Sequence, residues 1–348
     1  MKLLINLLNE CFSENPCWKF HVIQESSWEW VDLQICYDKT RKEICSSPNW
    51  NKNDLAHLYW EADLIFSESE NELEEWVRRE TLPHRVKGIA PDTNLIIPGF
   101  LTKFLKRLAV SPHDIVPVLV LFARSIQYEI HSMRPFTYSS RLPSDVENFF
   151  EQAVQTWPLL ADLWNSRFGK YTPDLMTSLS NERGRLGLKG TYEVDALHKW
   201  APVIIVKPSH VLHSPKVLEQ SPFLNAVHDS LIRYEVDFIR QNTSLPILFI
   251  TNDKDQCKSA IQEGIEAIHI KKPGYKSRIE KEVSKQLDLE RIRSLLLSLL
   301  AYSAVVRLTS QSGEYYLSWT WRGRRMEDVS EHKIRLVDSE RKIHSLDP

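Results

Sequence analysis

Gly88-Ile89-Ala90-Pro91-Asp92-Thr93-Asn94-Leu95-Ile96-Ile97 reads as a short apolar strand that stops on an acid and turns at once into a helix. In open α/β sheets, ligands and chemistry gather at the carboxyl ends of strands, so a carboxylate at that edge is a candidate metal ligand. The same residue in the same place also makes a good N-cap, and Asp92 would then serve only the helix that follows. Far downstream, Leu245-Pro246-Ile247-Leu248-Phe249-Ile250-Thr251-Asn252-Asp253-Lys254-Asp255 repeats the pattern: an apolar strand, a polar turn with an acid, then a helix. Two strands ending alike predict two acids that meet at one sheet edge.

Working outward, the 348 residues are 42% apolar and 26% charged, which describes a globular chain rather than a disordered or fibrous one. The formal net charge of −2 supplies no global basic field, so a nucleic-acid substrate would have to be met by a local basic patch. Cys11, Cys17, Cys36, Cys45 and Cys257 form no Cys-x-x-Cys pair and no zinc pattern, which predicts reduced thiols and a cytoplasmic chain. The apolar start, Met1 to Leu8, is interrupted by Asn6 and lacks a small-residue cleavage site, so no signal peptide is expected. The run from Ile115 to Ile126 is too short to span a bilayer, and no membrane partner is expected.

The expected organisation has three parts. Residues 1–86 read as a small α+β accessory domain, with strands at Trp18 to Ile23, Trp30 to Cys36 and up to Cys45. Helices follow, from Asn53 and from Glu70 to Arg79, and a helix is also expected from Met1 to Phe12. Residues 87–275 read as a parallel sheet flanked by helices, the order helix, strand, helix, strand implying crossovers. Ala201 to Val206 is expected as a buried strand and Phe122 to Ile130 as a helix. A helical insertion occupies about 135–185, and Asn181 to Gly190 reads as a glycine-punctuated basic loop with Arg183, Arg185 and Lys189. That loop lacks the Gly-Lys-Ser/Thr ending of a P-loop, but it can grip phosphates or simply be solvated. Residues 276–348 read as a helix followed by a small β appendage. There Trp319 and Trp321 precede Arg322-Gly323-Arg324-Arg325, an aromatic and basic run suited to stacking bases, or to plain packing.

Asp92, Glu129, Asp229 and Asp253 come from four separate segments. Gathered together they would repel unless a cation sat among them, and oxygen-only ligands suit Mg²⁺ or Mn²⁺. Such ions activate water and stabilise displacement at phosphorus. Spacing alone leaves Asp229 and Asp237 as rivals on one helix.

The ordered set Pro-Asp-Thr-Asn, Ser-Ile-Gln-Tyr-Glu, Asp-Ser-Leu-Ile and Ile-Thr-Asn-Asp-Lys-Asp resembles the PIN-domain nucleases, over about residues 86–132 and 190–272. The resemblance implies a PIN-like parallel sheet flanked by helices, a metal-dependent endonuclease, and RNA in preference to DNA as substrate. By motif, Asp92, Glu129, Asp229 and Asp253 would be catalytic metal ligands, with Asp255 as an extra acid. Asn94, Thr251, Lys254, Arg183, Arg185, Arg322 and Arg324 would meet substrate. The insertion and the flanking domains depart from a minimal PIN core, and the terminal domains are the expected surfaces for a protein partner or a second copy. The alternative is a catalytically inactive PIN-like module that binds nucleic acid or protein.

Overall fold

The computed structural model describes residues 17–24, 29–38, 43–45, 52–63, 65–79, 86–109, 118–133, 144–156, 181–206, 223–273, 289–303, 305–310, 313–320, 333–338, 340 and 343–345. The chain divides into two compact units. One comprises residues 1–65, 134–188 and 273–348, and the other 66–133 and 189–272. Among the described residues no helix is long and apolar enough to cross a membrane. The helix expected from Met1 to Phe12 lies outside the described residues.

The first unit is built on a seven-stranded antiparallel sheet. Its amino-terminal strands are β1 (Cys17–Gln24), β2 (Glu29–Asp38) and β3 (Glu43–Cys45). They precede helix α1 (Lys52–Glu61). The carboxy-terminal half supplies β9 (Val305–Ser310), β10 (Gly313–Thr320), β11 (Lys333–Asp338) and β12 (Ile343–Ser345). The order β12-β11-β10-β9-β1-β2-β3 joins the two ends of the chain, with Phe20 opposite Leu308 and Val22 opposite Val306. The two expected terminal domains are therefore one domain. Their pairing is non-local, and no pattern inside either stretch announces it.

In the second unit the order along the chain is helix α2 (Ser69–Arg78), strand β4 (Lys87–Pro91), the single turn α3 (Thr93–Ile96) and helix α4 (Phe100–Leu108). Strand β5 (Val118–Ala123) then feeds helix α5 (Arg124–Ser132). In the first unit, helix α6 (Ser144–Thr156) follows; α7 (Glu182–Leu197) then begins there and ends in the second. Strand β6 (Val203–Val206), helix α8 (Phe223–Asn242), strand β7 (Ile247–Thr251), helix α9 (Lys254–Gln262) and strand β8 (Ala267–His269) complete the second unit. Helix α10 (Leu289–Tyr302) returns to the first unit, where Leu295, Leu296, Leu299 and Leu300 are buried.

All five strands of the second sheet run parallel, in the order β6-β5-β4-β7-β8. The two central strands, β4 and β7, are buried along their whole length, as a parallel sheet covered on both faces requires. The chain enters at β4, winds outward through β5 and β6, then returns beside β4 with β7 and winds the other way. That reversal is a topological switch point, where open α/β sheets place their crevice. It lies between the two stretches that end in Asp92 and Asp253.

Three local expectations need correction. Val118 to Ala123 is strand where a helix was expected to begin at Phe122, because an all-apolar run has no period to tell the two apart. Strand β6 is an edge, with Ile204 46% and Ile205 37% exposed, so it is not a buried strand. Residues 182–190 are helix, not loop. Asn181 Oδ1 accepts from Gly184 N at 2.7 Å and caps the first turn. A Cβ on Gly190 would come within 3.2 Å of both Ile97 and Ile130, so this glycine permits close packing rather than a turn.

Candidate functional site

Asp92 follows β4, and its carboxylate is tied down on both oxygens. Oδ1 accepts from Thr93 N at 2.7 Å and Oδ2 accepts from the Thr251 hydroxyl at 2.7 Å. The N-cap reading of Asp92 is therefore met, and the same side chain also reaches the end of β7. Thr251 Oγ1 in turn accepts from Asp253 N at 2.9 Å, so one hydroxyl links the acids that end β4 and β7. Asn94 fastens the same two turns: its Oδ1 accepts from Asn252 N at 3.2 Å, and its carbonyl accepts from Asn252 Nδ2 at 3.3 Å. The edge predicted by two similar strand ends is thus one hydrogen-bonded structure.

Glu129 stands on α5, half-buried, and its Oε2 accepts from the Thr93 hydroxyl at 2.5 Å. Thr93 was missed by the sequence reading, although it sits directly after Asp92 and carries a hydroxyl that reaches Glu129 on α5. Asp229 lies on α8 and feels the charges of Glu129 and Asp253. Its rival Asp237 instead pairs with Arg240 at 2.6 Å and accepts from Gln241, away from the other acids. Asp253 is an exposed N-cap, with Oδ1 accepting from Asp255 N at 2.7 Å and from Gln256 N at 3.1 Å.

The electrostatics show how close these groups are in effect. Asp92 is 3% exposed, and burial, followed by the charges of Glu129 and Asp229, pushes its carboxyl up to about 7. The hydrogen bonds from Thr251 and Thr93 pull the other way and lose. Asp229 is also raised, by burial first and then by Glu129 and Asp253. Four carboxylates sharing one field are the donor chemistry of a hard divalent cation, which would relieve the repulsion they exert on one another. Among the described residues, no three His, Cys, Asp or Glu side chains are drawn together as a finished set of metal ligands. Asp92, Glu129, Asp229 and Asp253 are the residues that would hold the ion.

Other expected site residues fare differently. Asp255 points away, its side chain 90% exposed and 3.3 Å from Lys258 Nζ, so it does not join the acids. Lys254 is exposed at the start of α9, beside Asp253. Arg185 is 1% exposed and donates to the carbonyls of Ala301 and Tyr302, each at 3.1 Å, so it is a structural residue and cannot meet a phosphate. Arg183 is exposed on α7, in the first unit. Arg322 and Arg324 lie outside the described residues.

These features define an α/β protein whose parallel sheet ends in acidic residues at its switch point. No protein-family model matches the chain, and no curated protein matches it. It is similar to a domain of a functionally unknown protein from Methanocaldococcus jannaschii DSM 2661, at 15% identity over 53% of this chain and 91% of that one, with a TM-score of 0.31. A likeness of that size carries no argument about fold or function.

Proposed function

We propose that this chain is a divalent-metal-dependent endonuclease of PIN-like type that hydrolyses phosphodiester bonds, in RNA in preference to DNA. The observation that carries the reading is Asp92: a buried carboxylate at the switch point, hydrogen-bonded to the end of β7 and coupled in charge to acids from two helices. Bound Mg²⁺ or Mn²⁺ would supply an activated water and neutralise charge developing on the phosphate. The chain's own part is positional. Thr251 fixes Asp92 relative to the Asp253 turn, and the Thr93 hydroxyl holds Glu129. Lys254, exposed beside Asp253, is placed to attract a phosphate.

Labelled single-stranded RNA, duplex RNA and DNA, incubated with Mn²⁺ or with chelator, test the reading. Wild type should cut RNA only with metal, and Asp92→Asn should fold but lose at least about a hundredfold in rate, as removal of a group acting on the transition state does. Equal cleavage by the two proteins would remove this cluster from the chemistry.

The second reading, a catalytically inactive binding module, is favoured by the acids stopping short of a finished ligand set. It predicts no shift of the thermal midpoint with Mn²⁺, whereas a metal site gains stability as the ion binds the native form alone.

A further inference from the structure

Helices α5 and α9 each begin on a cation, Arg124 and Lys254, where the positive end of the helix dipole repels it. Neither cation is there for its helix, because acids serve both first turns. Ser125 N donates to Glu235 Oε2 at 3.0 Å, and Asp255 N and Gln256 N donate to Asp253 Oδ1. Among the described residues, neither the Arg124 guanidinium nor the Lys254 ammonium has an ion pair or a hydrogen bond. The Arg124 guanidinium instead lies over the Tyr128 ring, 5.2 Å from its centroid. That contact steadies the group and leaves its fork of N–H donors unspent.

Both residues start at the sheet edge that ends in Asp92. Ile89 pairs with Val120, so Asp92 lies level with Ala123, and Arg124 is the next residue. On the other side Asp92 N donates to Ile250 O at 2.9 Å, and Lys254 follows directly on Asp253. Strands β5 and β7 are the two neighbours of β4. With adjacent strands about 4.8 Å apart, the two cations spring from lines roughly 10 Å apart, with Asp92 between them. Arg124 is half-buried and Lys254 exposed. Cations on either side of Asp92, paired with no acid, are suited to an anion that reaches across the edge. A polynucleotide strand is such an anion: its phosphates repeat, so one can lie at Asp92 while its neighbours meet Arg124 and Lys254.

We propose that Arg124 and Lys254 form a phosphate clamp, which lays a single polynucleotide strand across the ends of β5, β4 and β7 and presents the phosphate between them to Asp92. The inference rests on the nuclease reading above and gives the substrate a direction across the sheet. Arg124 is the fixed end, because its planar fork matches two phosphate oxygens and Tyr128 backs it. Lys254 is the adjustable end, a point charge on a flexible stem.

Binding of a fluorescein-labelled single-stranded oligouridylate to the full chain, followed by anisotropy, tests the clamp. Chelator keeps the strand whole, and the salt dependence is read between about 50 and 200 mM KCl. Each phosphate contact on a single strand adds about 0.7 to the slope of log K against log salt. Arg124→Gln and Lys254→Gln should each flatten the slope by about 0.7, and the double variant by about 1.4. Arg124→Lys keeps the charge and should keep the slope. Arg78→Gln removes an exposed cation already paired with Glu74 on α2, and it too should keep the slope. Thermal midpoints of the Arg124 and Lys254 variants should be unchanged or higher, since each loses a cation that its helix dipole repels. Should Arg124→Gln fail to fold, Arg124→Met, which keeps the stem beside Tyr128, takes its place with the same expected loss.

A wild-type slope in Arg124→Gln or Lys254→Gln, or an equal drop in Arg78→Gln, would overturn the clamp. The Mn²⁺ cleavage assay separates that result from the nuclease reading. Cleavage together with unchanged slopes sinks the clamp alone, and flattened slopes without cleavage sink the nuclease reading alone. A wild-type chain that binds no oligouridylate also overturns the clamp, and the cleavage assay then judges the nuclease reading by itself.

Discussion

Asp92 is a carboxyl group in a position that disfavours the carboxylate. Burial raises it to about 7 from an ordinary value near 3.8, and Glu129 and Asp229 add to the effect. The sign of the consequence follows from proton counting. Between about pH 4 and 7 the native chain holds a proton on Asp92 that the unfolded chain has released, so stability falls as pH rises through that window. Below it both states are protonated, and above it both are ionised, so Asp92 contributes no slope at either end. The loss should total on the order of a few kcal/mol. Urea unfolding of the metal-free protein at pH steps should show it, and Asp92→Asn should keep only the share due to Asp229, which is raised by burial and then by Glu129 and Asp253. Parallel curves for the two proteins would mean that the Asp92 side chain is ionised throughout. The sequence could place this acid at a strand end, but not its burial. A side chain becomes buried through what packs over it, and here that includes Thr251, far along the chain.

Elements were legible where local chemistry set them and illegible where packing did. Helix α4 runs from Phe100 to Leu108 as its apolar spacing predicts, after Gly99 adopts the left-handed φ of 72° that glycine tolerates. Helix α7 was hidden because its glycines and cations look like loop residues, while Arg185 spends its charge on the backbone carbonyls of α10. Helix α2 shows the same logic in a testable form. Its last-turn carbonyls have no partners within the helix, and the ammonium of Lys87, at the start of β4, takes up Trp76 O at 2.6 Å, Val77 O at 3.0 Å and Arg79 O at 2.6 Å. The cation also suits the negative end of the helix dipole. Lys87→Met keeps the stem but strands these carbonyls, and should cost on the order of 3 kcal/mol in urea unfolding. Amide exchange should quicken along α2 before the rest of the parallel-sheet unit. An unchanged midpoint would show that water replaces the ammonium freely.

The chain passes between its two units after Ile65, Met133, Leu188 and Lys272, so no single cut yields either one whole. The expected partition into three consecutive domains failed for this reason: composition and periodicity report on neighbours in sequence, whereas β1 meets β9 across most of the chain. That pairing makes a prediction about the whole molecule. Strand β9 lies inside the seven-stranded sheet, held by β10 on one side and β1 on the other. A chain starting at residue 51 lacks β1, β2 and β3, and so leaves the backbone donors and acceptors of β9 open along one side. Val306 and Leu308 of β9, which pair with Val22 and Phe20 of β1, are almost fully buried in the intact protein and would be left at that edge. An open apolar edge strand is a template for pairing with other chains. The truncated chain should therefore elute as aggregate and melt without a cooperative transition. Supplying residues 1–50 as a separate co-expressed fragment should restore a soluble complex, because the lost contacts are backbone ladders and apolar faces rather than a covalent continuity. A chain from residue 51 that is monodisperse and melts cooperatively by itself would show that β9 needs no partner from the amino-terminal strands.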